Sequence, residues 1–464
     1  MIRLGLVSFS DGRIRVHESL EPDILEHQRK IQSILESTGE IEVITSEIVF
    51  STNIARDQGI FLRKNSLDGI VFNIPVFAFP NFSVITARLA QCPFFLLGPK
   101  DPRYPGLGGL LGASGGLNQV GLRHERLWAS LDDPTLPAKL LAFARAAKAA
   151  TRLKGQVYGL IGGRSIGMYT GAAPAELWQR HFGVDIDHVD QSEIIRRAHS
   201  LSENQVKEAT EWLKKHVKVI HFDGVQLTPQ KLDFEVRCWL ALQEIIDEFG
   251  FDFVGLKCHF DLSQYFSVQC LAASFINDPY DWRGPKTPVP LACEADSDGA
   301  LTMQILTLIS DLPSTLLDLR FFDVKHNVLV MPNCGAAATW YAARSQDPSE
   351  NLSKVQIVPS IPKYVGGGAH VQFVFGEGPL TLARLTRSQQ GYRMIITKGE
   401  SIVLPINDVQ GTGINWPHAF VQTQVSIDTI IQKMESNHFH AVAGDWCEEL
   451  KKFCEMLSLD CEVL

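Results

Sequence analysis

The first 150 residues alternate between short apolar runs and longer amphipathic segments. Residues 21–37 carry apolar side chains at helical spacing, and residues 137–153 form another strong helical pattern. The apolar runs predict buried strands at 2–8, 41–44, 69–74 and 94–97. Strands that alternate with helices are typical of a doubly wound, parallel α/β sheet. The Gly-rich segment 106–121 fits neither period, and we expect a loop that packs closely against other backbone.

A second α/β pattern starts after residue 153, and the texture changes again near residue 350 to short strands separated by Gly and Pro. Such short, closely spaced strands are typical of an antiparallel barrel or sandwich. We therefore predict an α/β protein with two doubly wound domains followed by a β-barrel-like domain. The predicted bounds are 1–153, 154–345 and 346–464, with the tail of the last domain returning to the candidate site described below.

Composition excludes several classes of protein. The chain has 464 residues, which is too long for one core, and its net charge is −9 without a basic face that would indicate nucleic-acid binding. Nine cysteines without a CxxC pair fit reduced thiols in the cytoplasm better than a disulfide framework. The N-terminus lacks the layout of a signal peptide, and no run of 18 apolar residues predicts a membrane span. We expect a cytoplasmic protein without nucleic-acid or membrane partners.

Residues 291–303 bring three acids together between a predicted strand and a predicted helix. An apolar run ends at Glu294, and Asp296 and Asp298 follow before the helical pattern begins. Ligands of open α/β sheets lie at the carboxyl ends of strands, and neighbouring acids favour a cation or a proton between them. Asp298, with Asp296 as second choice, is expected to cap the helix. Glu294 lies too early for capping and is the candidate functional carboxylate.

Three groups at predicted strand ends, Glu294, Asp318 and His438, are candidates for one metal site. Two carboxylates and an imidazole suit a divalent ion with open positions, and mostly oxygen ligands favour Mn²⁺ or Mg²⁺. A zinc site of cysteine and histidine is the alternative. The cysteines near predicted strand ends are Cys258, Cys293 and Cys334. Their spacing, however, matches no compact zinc motif.

Seven segments of the chain, taken in order, resemble the L-fucose isomerases of the wider L-fucose/L-arabinose isomerase family. They are residues 10–23 (SDGRIRVHESLEPD), 140–168, 292–303 (ACEADSDGALTM), 315–323, 366–368 together with 379–387, 415–420 (NWPHAF) and 436–445. The separation of Glu294 from Asp318 also resembles that of the family. The resemblance covers nearly the whole chain.

The resemblance implies a metal-dependent aldose–ketose isomerase that acts on an open-chain sugar through an enediolate. In this interpretation Glu294 and Asp318 bind the metal and move the proton, and His438 is the third ligand. The implied ion is Mn²⁺, with Mg²⁺ or Co²⁺ as alternatives. The implied assembly is a homo-oligomer, a hexamer, with active sites at subunit interfaces.

The resemblance also assigns contacts to the sugar. Asn437 is placed in the pocket beside the metal ligand, and Trp416 resembles the tryptophan that faces the substrate. Arg13 resembles an arginine at the mouth of the site that is donated to a neighbouring subunit. His259, which follows a predicted strand end, is a further candidate contact, and its alternative is a structural histidine.

Two departures from the family pattern bear on the substrate. Lys257 stands where the family has Gln, and Ala369 stands where it has Tyr after the GGG segment. An added cation and added space predict a variant hexose with an anionic terminus, such as a phosphorylated sugar or a 6-sulfo sugar like sulfoquinovose. The alternative is that Lys257 pairs with a local carboxylate.

Two other functions are compatible with the residues. Paired α/β domains also occur in sugar-binding or regulatory proteins without catalysis, although an acid-and-histidine constellation has no purpose there. A metal-dependent epimerase or aldolase would share the enediolate chemistry. Product analysis separates these, because an isomerase yields a ketose of the same formula.

Overall fold

The computed structural model describes residues 1–389, 391–412 and 415–464, and the chain divides into two compact units. The first unit comprises residues 1–154 and 448–458, and the second comprises residues 155–447 and 459–464. The three-domain division stays a prediction.

The first unit is built on a parallel sheet with strand order β2-β1-β3-β4-β5. The strands are β1 (Ile2–Ser8), β2 (Ile41–Thr45), β3 (Gly69–Asn73), β4 (Phe94–Pro99) and β5 (Glu125–Ala129). The helices are α1 (Ile14–Glu36), α2 (Thr52–Lys64), α3 (Pro80–Ala90), α4 (Gly106–Gln119) and α5 (Leu136–Arg152). Alternate strand residues pack into two separate apolar clusters, as expected when both faces of a sheet are covered. The predicted parallel α/β sheet is confirmed here.

The predicted loop over residues 106–121 is wrong, because most of this segment forms helix α4. A Cβ atom at Gly109 would lie 2.1 Å from the carbonyl oxygen of Val76, and one at Gly106 would lie 2.7 Å from that of Pro75. The helix therefore packs against backbone more closely than a side chain allows. The glycines that weaken the helical pattern are the residues that permit this contact, so the close approach was expected but the helix was not.

The second unit contains most of the remaining elements. Its first strands are β6 (Val157–Ile161), β7 (Asp185–Val189), β8 (Val219–Ile220), β9 (Phe253–Leu256), β10 (Tyr280–Asp281), β11 (Gly284–Pro285) and β12 (Leu291–Cys293). Its later strands are β13 (Thr315–Asp318), β14 (Phe321–Asp323), β15 (Val328–Pro332), β16 (Gln356–Pro359), β17 (Ala369–Gln372), β18 (Gly378–Ser388), β19 (Gly391–Ile402), β20 (His418–Gln422), β21 (His438–Ala443) and β22 (Asp460–Val463). Its helices are α6 (Ala175–Phe182), α7 (Ser192–Ser200), α8 (Glu203–His216), α9 (Pro229–Phe249), α10 (Asp261–Tyr265), α11 (Cys270–Asn277), α12 (Ser297–Ser310), α13 (Pro348–Leu352) and α14 (Ile427–Lys433). The last helix, α15 (Cys447–Leu457), lies largely in the first unit.

Two large sheets organise the second unit. One is parallel, with order β12-β9-β6-β7, and the other has the order β13-β21-β18-β19-β20-β15-β14 with antiparallel pairing throughout. Strand β22 joins the second sheet parallel to β19. A small sheet, β17-β16-β8, and the β10-β11 hairpin complete the unit. These sheets confirm the mixed α/β class, and closure of the larger sheet into a barrel stays a prediction.

Helix α12 lies between the two large sheets. It contacts β9 and β12 on one side and β18 and β21 on the other, and every residue from Ser297 to Leu306 is buried. A helix that is apolar on all sides is expected to be buried in this way. Its N-terminus therefore lies where strand ends from both sheets meet. Within the described ranges, no helix is both long and apolar enough to cross a membrane.

Candidate active site and metal centre

Asp318 and His438 are direct neighbours across two antiparallel strands. They are register partners in the β13·β21 ladder, so their side chains lie on the same face of the sheet. The Nε2 atom of His438 lies 3.3 Å from Oδ1 of Asp318. The side-chain amide of Asn437 donates to the same oxygen over 3.2 Å. The sheet thus brings together three of the predicted site residues.

Glu294 reaches this pair from a strained turn after β12. Glu294 has φ of +60° and Ala295 has φ of +55°, which is the left-handed region that residues with a Cβ atom adopt at a cost. The amide of Ala295 donates to the carbonyl oxygen of Leu256 over 3.0 Å, which helps to hold the turn. Strained backbone of this kind is concentrated at functional sites. The turn places Oε2 of Glu294 3.7 Å from Nε2 of His438.

Asp296 supports the site through contacts with α12, His438 and Arg384. It caps α12 by accepting from the amide of Gly299 over 3.1 Å, and it accepts from Nδ1 of His438 over 2.7 Å. Arg384 donates to both of its oxygens, over 2.6 Å and 3.1 Å, and both side chains of this ion pair are fully buried. Burial alone would raise the pKa of Asp296, but Arg384 and His438 hold it well below its usual range. Asp296 is therefore a permanent anion that orients His438.

The prediction that Asp298 caps α12 is wrong, because Asp296 occupies the cap position. Asp298 lies in the first turn of the helix, where Arg387 donates to its Oδ2 over 2.8 Å. Burial raises the pKa of Asp298 to about 6, against the lowering effect of Arg387. The basic partner of Asp298 comes from β18, so the sequence around residue 298 does not reveal it.

The three predicted ligands fit a hard divalent cation. Since Asp296 accepts from Nδ1, the Nε2 atom of His438 is the nitrogen that faces Glu294 and Asp318. Burial lowers the pKa of His438, but its hydrogen bonds to Asp296 and Asp318 raise that pKa to about 10. Burial raises the pKa of Glu294 to about 7. Without a metal, the proton on Nε2 of His438 interacts with the carboxylates of Glu294 and Asp318. A cation bound by the same nitrogen and oxygen atoms would replace that proton.

A second group of potential ligands lies on the other side of Glu294. Its Oε1 atom is 3.6 Å from Nε2 of His259, and Sγ of Cys334 is 3.8 Å from the same nitrogen. The ring of His259 also stacks on Tyr364, whose hydroxyl lies 3.4 Å from Nε2. In the described part of the chain, His259, Glu294 and Cys334 have ligand atoms within 4.8 Å of one another. His259 is thus brought to the site, although whether it contacts substrate stays a prediction.

Lys257 and Trp416 have different surroundings from those that a direct substrate role would suggest. The Nζ atom of Lys257 pairs with Asp261 over 2.7 Å, which is the local carboxylate pairing that the sequence left as its alternative. Trp416 is buried near two cations: the guanidinium of Arg320 lies 4.7 Å from its ring centroid, and Nζ of Lys363 lies 5.9 Å from it. The substrate contacts predicted for Lys257 and Trp416 stay predictions.

Arg13 lies in the first unit, where it is held by its neighbour Asp11. Two nitrogens of Arg13 donate to the Asp11 carboxylate over 2.8 Å and 2.6 Å, and the arginine side chain is 69% exposed. Its predicted contribution to a neighbouring subunit stays a prediction.

Several residues of the site had no sequence signal of their own. Arg384 and Tyr364 sit in apolar strand or turn patterns, and only tertiary structure pairs them with Asp296 and His259. Cys334 was noted as a zinc alternative, but its proximity to Glu294 was not expected. For Asp296 the sequence indicated a helix cap. Its contact with the ring of His438 could be found only from the fold.

Two family models match this chain: the first N-terminal domain of L-fucose isomerase over residues 1–155, and the C-terminal domain of L-fucose isomerase over residues 331–463. A sulfoquinovose isomerase of Alkalicoccus urumqiensis is 22% identical over 404 residues, covering 84% of this chain and 85% of that protein. One from Clostridium sp. (strain MSTE9) is 24% identical over 387 residues, covering 80% and 81%. An L-fucose isomerase of Haemophilus influenzae (strain PittEE) is 23% identical, covering 99% and 92%.

Proposed function

We propose a function from one premise: the chain belongs to the L-fucose isomerase family. Its relatives establish an aldose–ketose isomerase of sugars as the general activity. The finer proposal is a metal-dependent isomerase that converts an anionic hexose, a 6-sulfo sugar such as sulfoquinovose, into its ketose. The cation is Mn²⁺, with Mg²⁺ or Co²⁺ as alternatives.

The observation that carries this proposal is the position of His438 Nε2. It faces carboxylate oxygens of Asp318 at 3.3 Å and Glu294 at 3.7 Å, while Asp296 holds the other ring nitrogen. A histidine fixed in this way by a carboxylate is a recurrent arrangement at metal centres. Glu294, Asp318 and His438 would hold the ion, which would withdraw charge from two neighbouring sugar oxygens and stabilise the enediolate.

The remaining chemistry belongs to the side chains. Isomerisation moves one proton from C2 to C1 of the open-chain sugar and a second from O2 to O1. A carboxylate must therefore accept the carbon-bound proton from one carbon and return it to the other. Glu294 and Asp318 both face Nε2 of His438 and are the two candidate bases. Asn437, which donates to Asp318, would keep that carboxylate in place. Burial of Glu294 and His438 restricts water around the transferring proton.

Two cations near the site support an anionic substrate. Arg320 follows Asp318 by two residues, and Lys363 precedes Tyr364, whose hydroxyl approaches His259. Among the described residues neither cation has a carboxylate partner, whereas Lys257 is paired with Asp261. Four sulfoquinovose isomerases are among the relatives, and a sulfonate is a stable anion that cationic side chains recognise. We therefore assign anion recognition to Arg320 and Lys363 in place of Lys257.

The family resemblance supports three further parts of the proposal. A homohexamer with sites at subunit interfaces would use the exposed Arg13, which Asp11 holds in one orientation. The larger sheet of the second unit would close as the barrel of the third domain. Reduced thiols beside Glu294 fit a cytoplasmic enzyme.

The test is ketose formation by the Mn²⁺-loaded protein on sulfoquinovose, D-glucose, L-fucose and D-arabinose, with an EDTA-treated control. We expect metal-dependent turnover of sulfoquinovose above the neutral sugars. Glu294→Gln and Asp318→Asn are expected to abolish turnover while circular dichroism shows an intact fold. A Glu294→Gln enzyme that remains active with bound metal would contradict the proposed chemistry.

The matched test of substrate recognition compares cation variants. Arg320→Gln and Lys363→Gln should raise KM for the sulfo sugar about 10-fold or more, since charged hydrogen bonds contribute roughly 1.5–3 kcal/mol each. Lys257→Gln should have a smaller effect on KM. Equal effects of the variants on sulfonated and neutral sugars would remove the anionic substrate from the proposal and leave the isomerase in place.

A further inference from the structure

Glu294 lies between two imidazole nitrogens that belong to different sets of ligands. Its Oε2 atom faces Nε2 of His438, 3.7 Å away, on the side of Asp318. Its Oε1 atom faces Nε2 of His259, 3.6 Å away, on the side of Cys334. A carboxylate with one oxygen toward each imidazole is arranged to serve two neighbouring cation positions.

The hydrogen bonds of His259 assign a proton to its Nδ1 atom. The hydroxyl of Ser263 donates to the carbonyl oxygen of Phe260 over 3.2 Å, so its oxygen is free to accept from Nδ1 of His259 over 3.3 Å. A neutral histidine that donates through Nδ1 presents a lone pair at Nε2. That lone pair faces the Cys334 sulfur at 3.8 Å and the Glu294 oxygen.

Two proton donors of this cluster are the hydroxyl of Tyr364 and the thiol of Cys334. The single hydroxyl proton of Tyr364 can go to Nε2 of His259, at 3.4 Å, or to Sγ of Cys334, at 3.8 Å. The thiol of Cys334 can donate to Nε2 of His259, and Oε1 of Glu294 faces the same nitrogen 3.6 Å away. A cation among His259, Cys334 and Glu294 would take the place of the thiol proton, because it would interact with all three ligand atoms at once.

The spacing of the three ligand atoms suits a tetrahedral ion that binds sulfur. Zinc bonds of about 2.0–2.3 Å to nitrogen, oxygen and sulfur place neighbouring ligand atoms roughly 3.3–3.6 Å apart. The two separations from Nε2 of His259, 3.6 Å and 3.8 Å, are within a few tenths of an ångström of that range, and all three ligand atoms lie within 4.8 Å of one another. A cavity of about 10 Å³ borders this group: His259, Cys334 and Cys293 line it together with apolar side chains, but Glu294 does not.

We propose that His259, Cys334 and Glu294 form a second cation site, selective for thiophilic divalent ions such as Zn²⁺ and Cd²⁺. Binding releases the Cys334 thiol proton to solvent, and the thiolate and the Nε2 lone pair become ligands. The oxygen-rich set of Glu294, Asp318 and His438 prefers harder ions, so the two positions differ in selectivity. The proposal rests on the proposed function only for one consequence: a soft ion that draws on Glu294 inhibits the isomerase.

The test is a Cd²⁺ titration of the reduced, metal-free full-length protein, followed by the thiolate-to-cadmium charge-transfer absorbance. We expect one high-affinity equivalent that Cys334→Ser removes and that His259→Gln weakens at least 10-fold. Cys270→Ser is the matched control. Cys270 lines the same cavity but contacts His370 over 3.2 Å, so its replacement should leave the band intact.

Two further variants separate this proposal from the proposed function. Asp318→Asn should keep the cadmium band while it loses Mn²⁺ binding and turnover. In the active enzyme, Cys334→Ala should raise the Zn²⁺ concentration for half-inhibition at least 10-fold. The second site is ruled out if the wild type shows no high-affinity cadmium band. It is also ruled out if the band is unchanged in folded Cys334→Ser and Cys334→Ala proteins, even when the isomerase is active. A Cys334-dependent band without turnover of any sugar supports the site and counts against the proposed function.

Discussion

Asp296 has three roles at once, since it caps α12, orients His438 and neutralises Arg384. Asp296→Asn should keep the cap, because Asn is as good a cap as Asp, but lose the charge. We expect Mn²⁺ affinity to fall about 10- to 100-fold, since the ring of His438 is no longer fixed by an anion. The free energy of unfolding should fall by about 3–5 kcal/mol, because Arg384 is left buried and unpaired. Titration calorimetry and urea denaturation measure the two effects.

Asp298→Asn is the matched control for this prediction. Asp298 is also a buried carboxylate paired with an arginine of β18, but it does not touch His438, and Arg387 is partly exposed. The control should lose less stability and retain near wild-type Mn²⁺ affinity. If both variants weaken Mn²⁺ binding equally, Asp296 does not act through His438.

For individual residues, the sequence predicted the candidate metal ligands but not the side chains that hold them in place. Glu294, Asp318 and His438 each end or begin an apolar run, so strand ends identified them, and the structure places them together. The sequence favoured Asp298 over Asp296 as the cap of α12, and this order is wrong. Both residues fit a capping pattern, and only their arginine partners on β18 distinguish them. The partner of Lys257 was open for a similar reason: Asp261 is four residues away, but nothing local shows that it points back.

Helix α4 depends on glycine where it crosses the loop that follows β3. Gly109→Ala places a Cβ atom 2.1 Å from the carbonyl oxygen of Val76, so backbone must move. Overpacking of this kind typically costs about 1–3 kcal/mol. We expect the apparent free energy of unfolding of the first unit to fall by that amount in urea denaturation.

Gly115→Ala in the same helix should act in the opposite direction. A Cβ atom there meets nothing within 4 Å, and alanine is favoured over glycine inside helices by roughly 0.5–1 kcal/mol. The pair therefore separates helix propensity from packing. A stabilising Gly109→Ala substitution would contradict the close contact and favour the loop that sequence pattern predicted.

Elements with regular periodicity were predictable, and those defined by long-range contacts were not. The strands of the first unit have continuous apolar runs, which parallel sheets covered on both faces produce. Strand β21 begins at His438 and joins the antiparallel sheet, where β13 and β18 flank it. Partner and direction depend on residues more than 50 positions away, which no local pattern encodes.

For the molecule as a whole, the α/β class and the family followed from the order of motifs along the chain. Domain division is a different kind of property, because it depends on contacts summed over hundreds of residues. Helix α15 illustrates this: its residues 448–458 belong to the first compact unit, although the strand just before it lies in the second. The return of the tail to the site stays a prediction, as does the division into three domains.

The stability of the second unit should depend on pH through Glu235, a fully buried carboxyl on α9. Burial raises the pKa of Glu235 to about 8, although the amides of Ala369 and Leu271, which donate over 2.6 Å and 3.2 Å, lower it. In the unfolded chain a glutamate ionises near pH 4.3. Between these two values the folded protein binds one more proton, so stability falls as pH rises from about 4.5 to 8 and this contribution is constant above.

Glu235→Gln imitates the protonated side chain and should remove this pH dependence. One proton is equivalent to about 1.4 kcal/mol per pH unit, so between pH 5.5 and 7.5 the wild type should lose about 2–3 kcal/mol more than the variant. Urea denaturation at the two pH values measures the difference. Glu244→Gln, at an exposed position of the same helix, should behave as the wild type does. If the Glu235→Gln protein keeps the full pH dependence, Glu235 is already ionised in the folded state, and its two backbone donors outweigh burial.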